Sequence, residues 1–364
     1  MSKATFAVSM IALGLGCSSA VMANTKVPVV TSFSVLGDLV QQVGGDHVAI
    51  TNLVKANGDA HVYNPAPMDA KAIASAQLVV MNGLEFEGWM PRLLESSNFK
   101  GNKVLAADGI EVIKGHSCSC GGHGHHDDHD HDHDHDHDHD HDHDHDHDHD
   151  HDHDHDHDHD HDHDHDHDHD HDHDHDHDHD HKHDHGHAHG EFDPHSWHSI
   201  KNVKVYVKNI EQGLTKVDPN NAEDYQRNAA NYIQQLDKLD IELHKKVALI
   251  PEDKRSVITP HAAFAYMARD YNIDFHAPQG TSTESEASAG DVANIIKQIR
   301  SEGIKAVFVE NISDNRLIEQ ISRETDAKIG GQLYSDALSE PTGPAPTYLK
   351  MMEYNIDTIV NALK

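Results

Sequence analysis

Histidine is the residue through which this chain can do chemistry, and it occurs in two settings. Of 42 histidines, 35 lie between His116 and Gly190 together with 29 aspartates, and from Asp130 to His181 the two types alternate without a break. Imidazole nitrogen suits zinc, copper, nickel and iron, and a neighbouring carboxylate lowers the cost of bringing a divalent cation close. The tract has almost no apolar surface to offset the entropy of ordering it, so it is expected to be disordered and to bind several ions weakly. Cys118 and Cys120 add two thiols just ahead of the alternating run. The bland alternative is a solvated loop lengthened by repeat expansion.

The other seven histidines are His47, His61, His195, His198, His244, His261 and His276. Three imidazoles with a carboxylate or a water make a tetrahedral zinc site. His61 lies in the loop Gly58-Asp59-Ala60-His61-Val62-Tyr63-Asn64-Pro65, after a strand. His261 stands where the strand Ser256 to Thr259 turns through Pro260 into a helix. His195 opens a helix behind Asp193-Pro194, and Asp336 follows a strand ending near Leu333. In open α/β sheets, ligands bind outside the carboxyl ends of the strands. Each of these residues has an alternative as a helix cap or a surface group. His198, three residues after His195, has the spacing to ligate beside it. His276 follows a short strand and is an outside candidate. His47 reads as a strand-start residue and His244 as an exposed helix residue.

The elements that must position these groups alternate as strand and helix. Strands are predicted at Val27–Val30, Val48–Val54, Leu78–Met81 and Lys103–Ala106. Helices are predicted at Ser34–Val43, Met68–Ala76 and Gly88–Ser96. This βαβα order predicts a parallel sheet covered on both faces. After the tract a helix runs to about Leu214, and Asp218-Pro219 supplies an N-cap and a first helical position for a long helix. Its apolar residues Tyr225, Ala229, Tyr232, Leu236, Leu239 and Leu243 form one stripe. The second half repeats the architecture. Strands are predicted at Ser256–Thr259, Asn272–Phe275, Ile304–Val309 and Ile329–Leu333, and helices at His261–Tyr271, Asp291–Ser301, Asn315–Thr325 and Thr347–Leu363. The fold class is therefore α/β: two lobes with parallel sheets, joined by one long rigid helix, with a site in the cleft between them. The expected layout is a first lobe over 24–115 and 191–217, the His/Asp loop at 116–190, the linking helix at 218–250 and a second lobe over 251–364.

Charge and cysteine usage narrow the partners. The formal net charge is −36, but the tract holds 29 aspartates against Lys182 alone, which leaves only −8 on the rest. That gives no sign of a nucleic-acid partner. Cys17, Cys118 and Cys120 lie outside the predicted elements, so no disulfide framework is implied. Lys3, the apolar run Phe6 to Gly16 and the small residues ending in Ala23 read as a secretory signal, with residues 1–23 removed. Gly16-Cys17-Ser18 resembles a lipid-attachment signal, but Gly14 stands where Leu is usual, so the cleaved form is preferred to one anchored at Cys17. The expected location is periplasmic.

Four segments carry a family resemblance: Asp59-Ala60-His61-x-Tyr63-x-Pro65, Asp193-Pro194-His195-x-Trp197, Thr259-Pro260-His261-x-Ala263-Phe264-x-Tyr266 and Gly331-x-Leu333-Tyr334-x-Asp336-x-Leu338. As a set they resemble the metal-binding proteins of bacterial ABC importers, the solute-binding protein 9 family, from about Lys26 to Lys364 apart from the tract. The resemblance implies a metal site between two (β/α) lobes, with His61, His195 and His261 matching its ligands. Manganese-type members carry Glu where His261 stands, so a third histidine implies zinc. Zinc-type members often carry a His-rich insertion where the tract lies. Some have an acidic residue just before the first ligand. Ala60 occupies that position here, which leaves the fourth ligand open between Asp336 and water. The C-terminal disulfide of some members has no counterpart.

The resulting expectation is a monomeric, non-enzymatic receptor that hands Zn²⁺ to an inner-membrane ABC permease with its cytoplasmic ATPase. Two other classes stay open from sequence: an extracellular zinc enzyme, although no HExxH motif is present, and a zinc, nickel or copper buffer in which the tract is the active part.

Overall fold

The structure is a computed structural model that describes residues 26–115 and 191–364. The expected signal segment 1–23, Cys17, Cys118, Cys120 and the His/Asp tract lie outside the described residues.

The first lobe is built on strands β1 (Val27–Phe33), β2 (Val48–Val54), β3 (Leu78–Met81) and β4 (Asn102–Leu105), all parallel, in the order β2-β1-β3-β4. The second uses β5 (Ser256–Ile258), β6 (Asp274–His276), β7 (Ala306–Glu310) and β8 (Lys328–Leu333) in the matching order β6-β5-β7-β8. Val29, Val30, Leu78, Val79, Val80, Val257, Ile258, Val307 and Phe308 are buried. Such near-continuous apolar runs are what strands covered on both faces require. The covering helices are α1 (Ser34–Gly44), α2 (Pro67–Ser75) and α3 (Met90–Ser96) in the first half. In the second they are α6 (Ala265–Tyr271), α7 (Ala289–Glu302), α8 (Arg316–Glu324) and α9 (Tyr348–Leu363).

α4 (Ile200–Val217) packs on β3, β4 and α1 of the first lobe, and α5 (Ala222–Val247) spans the two lobes. The predicted stripe of α5 is buried in full and continues to Val247. It packs on α1 and α4 on one side and on α6 and α9 on the other. A helix of this length spans about 40 Å, and each buried Leu on it contributes roughly 1.5–3 kcal/mol. The bridge between the lobes is thus a packed helix rather than a flexible linker.

Three local expectations are corrected. Pro219 begins a 3-10 turn, Pro219–Asn221, and α5 starts only at Ala222. Asp218 does not cap the backbone there; its Oδ2 accepts from Asn221 Nδ2 at 2.6 Å and from Tyr225 Oη at 2.7 Å. The helix expected from His261 begins at Ala265, because His261 pairs with Gln279 in an isolated parallel bridge. His195 precedes a 3-10 turn, Ser196–His198, ahead of α4. In the last two cases the residue nearest the cleft lies in irregular backbone just before its helix.

The β7–β8 pair carries a bulge between Val307 and Phe308, opposite Gly330 and Gly331. Gly331 has φ +144, and a Cβ there would lie 2.7 Å from Thr358 Cγ2. Beyond the bulge, Glu310 pairs with Leu333. That register brings Glu310 beside the segment that carries Asp336.

Candidate metal centre

His61 follows β2, His195 follows β4, His261 follows β5 and Asp336 follows β8. His61, His261 and Asp336 thus leave the carboxyl ends of parallel strands, where open α/β sheets bind ligands. His195 stands in the segment leading into α4 and is brought to the same edge by Asn82, directly after β3, whose Nδ2 donates to Pro194 O at 2.9 Å. Their donor atoms lie within 4.8 Å of one another, and all four residues are buried. His61 Nε2 is 3.3 Å from His195 Nε2 and 3.2 Å from Asp336 Oδ2. His195 Nε2 is 3.7 Å from Asp336 Oδ1, and His261 Nε2 is 3.4 Å from Asp336 Oδ2. Bonds of about 2.05 Å at tetrahedral angles put donor atoms about 3.4 Å apart. These separations fit a single small cation at the centre.

Behind two of the imidazoles stand further carboxylates. His195 Nδ1 is 2.9 Å from Asp193 Oδ1, which also accepts the His195 backbone N–H at 2.8 Å. His261 Nδ1 is 2.6 Å from Glu310 Oε2, and Ser335 Oγ donates to the same oxygen at 2.8 Å. Such a partner keeps the proton on Nδ1 and turns the Nε2 lone pair toward the centre. Phe86 packs edge-on against His61 and His195, and Trp197 against His195. Trp197 Nε1 donates to Ser335 O at 2.9 Å, tying the His195 segment to the Asp336 segment across the cleft.

The electrostatics call for positive charge. Asp336, Asp193 and Glu310 are all buried. Burial opposes ionisation of Asp336, but His261 and His195 outweigh it and hold its pKa well below the usual carboxylate range. Burial also opposes a charge on His261, yet Glu310 and Asp336 outweigh that and hold its pKa well above the ordinary value. Both Asp336 oxygens and His261 Nε2 are buried and face the other groups of the cluster only at 3.2–3.7 Å, long for full hydrogen bonds. Buried polar atoms are rarely left so, and a divalent cation satisfies all three.

The remaining histidines stand apart. His198 is fully buried with its ring against Phe264, and burial, with His195 adding to it, drives its pKa down to about 3. It is a neutral packing residue rather than a partner of His195. His276 pairs with Asp274 at 3.0 Å, His47 with Asp224 at 2.8 Å and His244 with Asp240 at 3.5 Å. Glu310 is the residue that sequence reasoning missed. Its signal was an acidic residue directly after the apolar run Ala306 to Val309. Glu310→Gln is expected to weaken metal binding by about 10–100-fold, the usual range for such supporting carboxylates. Chelator competition beside a thermal melt checks this, and parent-like affinity removes Glu310 from the support of His261.

Two matched β/α lobes are bridged by a packed helix, with a buried cluster of candidate cation ligands between them. No helix among the described residues is long and apolar enough to cross a membrane. The family model ZnuA, zinc-uptake complex component A periplasmic, matches residues 29–362, and the chain belongs to that family. It is a periplasmic substrate-binding protein of the metal ABC-transporter class. Relatives include the iron-binding protein YfeA of Yersinia pestis, 27% identical over 92% of this chain and 85% of that protein. The manganese-binding lipoprotein MntA of Halalkalibacterium halodurans is 25% identical over 99% of this chain and 97% of that one. Among solved structures, the periplasmic zinc-binding protein TroA of Treponema pallidum superposes with a TM-score of 0.70 at 25% identity, over 93% of this chain and 99% of that one.

Proposed function

We propose that this protein captures Zn²⁺ with His61, His195, His261 and Asp336 and delivers it to an inner-membrane permease driven by a cytoplasmic ATPase, acting as a monomer. The observation that supports the reading is the convergence of the buried Asp336 carboxylate with three imidazoles, their donor atoms within 4.8 Å of one another. A shell of three nitrogens and one oxygen is nitrogen-rich. Imidazole favours zinc, whereas manganese prefers carboxylate, carbonyl and water oxygens. The relatives named for iron and manganese make those metals the competitors to test.

The same shell argues against a zinc enzyme. Catalytic zinc keeps a position open for water or substrate, while closed sites use four protein ligands. With Asp336 in place the fourth position is filled from the protein. Binding without turnover is therefore the expected activity.

Titration of apo protein with Zn²⁺ in competition with Mn²⁺, Fe²⁺ and Ni²⁺ tests the assignment. The expected result is one tight zinc equivalent that excess Mn²⁺ does not displace, with anomalous scattering at the zinc edge between the four residues. Asp336→Ala should weaken zinc by roughly a hundredfold, because a neutral water replaces a charged ligand. Unchanged affinity and geometry in that variant would make water, not Asp336, the fourth ligand.

A further inference from the structure

The three imidazoles are not held alike. His195 and His261 are fully buried and each has a carboxylate at Nδ1, whereas His61 is the most exposed of the set at 8%. Its loop is held through the main chain. Trp89 Nε1 donates to Ala60 O at 2.8 Å, and Asp59 Oδ1 accepts the His61 N–H at 2.9 Å. The other oxygen of Asp59 accepts from Thr283 Oγ1 at 2.6 Å, and Thr283 belongs to the opposite lobe. One carboxylate thus joins the backbone of His61 to segment 277–288.

That segment is attached at its start beside His261 and at its end by Ser288, which caps α7. Gln279 N donates to Pro260 O and Ala262 N to Gly280 O, on either side of His261. From Thr281 to Ser288 it contributes no residue to the buried core. Residues of the segment line two cavities. One of about 640 Å³ is lined by Thr259, Phe264, Gln279 and Thr281, and one of about 510 Å³ by Asp59, Pro260, Thr283 and Glu286. A polar stretch between two anchored ends, outside the core and bonded across the cleft at Thr283, is placed to let go locally.

We propose that residues 277–288 form a strap latched across the cleft by Thr283 and Asp59, and that Thr283 is a positioning residue for metal release. This rests on reading His61 as a zinc ligand. With the latch made, Asp59 holds the His61 backbone where its ring meets the ion. When the latch opens, His61 is the ligand free to withdraw first, because Asp193 and Glu310 retain the other two imidazoles.

Thr283→Val removes the donor and keeps the shape, while Thr283→Ser keeps the donor. Full-length protein loaded with one zinc equivalent is mixed with excess chromogenic chelator in a stopped-flow instrument. A hydrogen bond to a charged group is worth about a factor of ten or more. Thr283→Val is therefore expected to release zinc about tenfold faster, with Kd weaker by the same factor and with association rate and melting temperature unchanged. Thr283→Ser should stay within twofold of the parent. Parent-like release from Thr283→Val, or equal acceleration in Ser and Val, overturns the latch. A parent with no tight zinc site overturns the proposed function as well, so the two failures are distinguishable.

Discussion

Replacing His261 by alanine is expected to weaken zinc binding by two to three powers of ten while the fold persists. Four-ligand zinc sites hold their ion with about 10–16 kcal/mol, so one ligand of four carries roughly 2.5–4 kcal/mol. His261 carries more than its share, because its loss also leaves Glu310 and Asp336 as buried carboxylates short of a positive partner. The controls follow from where the structure puts the other histidines. His276→Ala should leave affinity within about twofold, since His276 pairs with Asp274 away from the cluster. His198→Ala should lower the melting temperature instead, because a fully buried ring against Phe264 is lost and a cavity remains. Chelator competition on all three variants checks the pattern. A His261→Ala protein that binds zinc as tightly as the parent removes His261 from the site and ends the zinc reading.

The frame of this site was legible in the sequence, but its support was not. His61, His261 and Asp336 each follow an apolar run bounded by turn residues, and the parallel-sheet rule then sends their side chains to one edge. The long stripe from Tyr225 to Leu243 announced a helix packed along its whole length. Local irregularity was not legible. The bridge from His261 to Gln279, which delays α6 to Ala265, is a tertiary pairing that no local pattern encodes. Asp218 before Pro219 has the look of a cap, yet Tyr225 one turn into the helix competes for its carboxylate and wins. Glu310 reads as the polar end of a strand until the β7–β8 register places it behind His261. The neutral packing role of His198 depends on Phe264, which comes from a distant part of the chain.

Removing residues 121–189 is expected to abolish every weak zinc site and leave the tight one unchanged. The flanks of the tract are already joined. Lys114 and Phe192 form an antiparallel bridge, Gly115 N donates to Glu191 O at 3.0 Å, and Asp193 N donates to Ile113 O at 2.9 Å. Tyr266 Oη accepts from Ile113 N at 3.1 Å and donates to Asp193 O at 2.9 Å, so the neck is clamped from α6. The deletion therefore shortens a loop whose ends are fixed, and the remaining connection is of ordinary length. Shortening it should stabilise the fold by about 2 kcal/mol through loop-closure entropy. Asp193 keeps its place behind His195, so Kd at the tight site should stay within about twofold of the parent. The zinc stoichiometry should fall from roughly ten to one, given 35 histidines at three or four ligands per ion. Calorimetry on parent and deletion variant reads both numbers, with circular dichroism reporting the fold. A variant that stays folded but loses the tight site makes the tract itself the receptor, and the four residues between the lobes then have no claim on the ion.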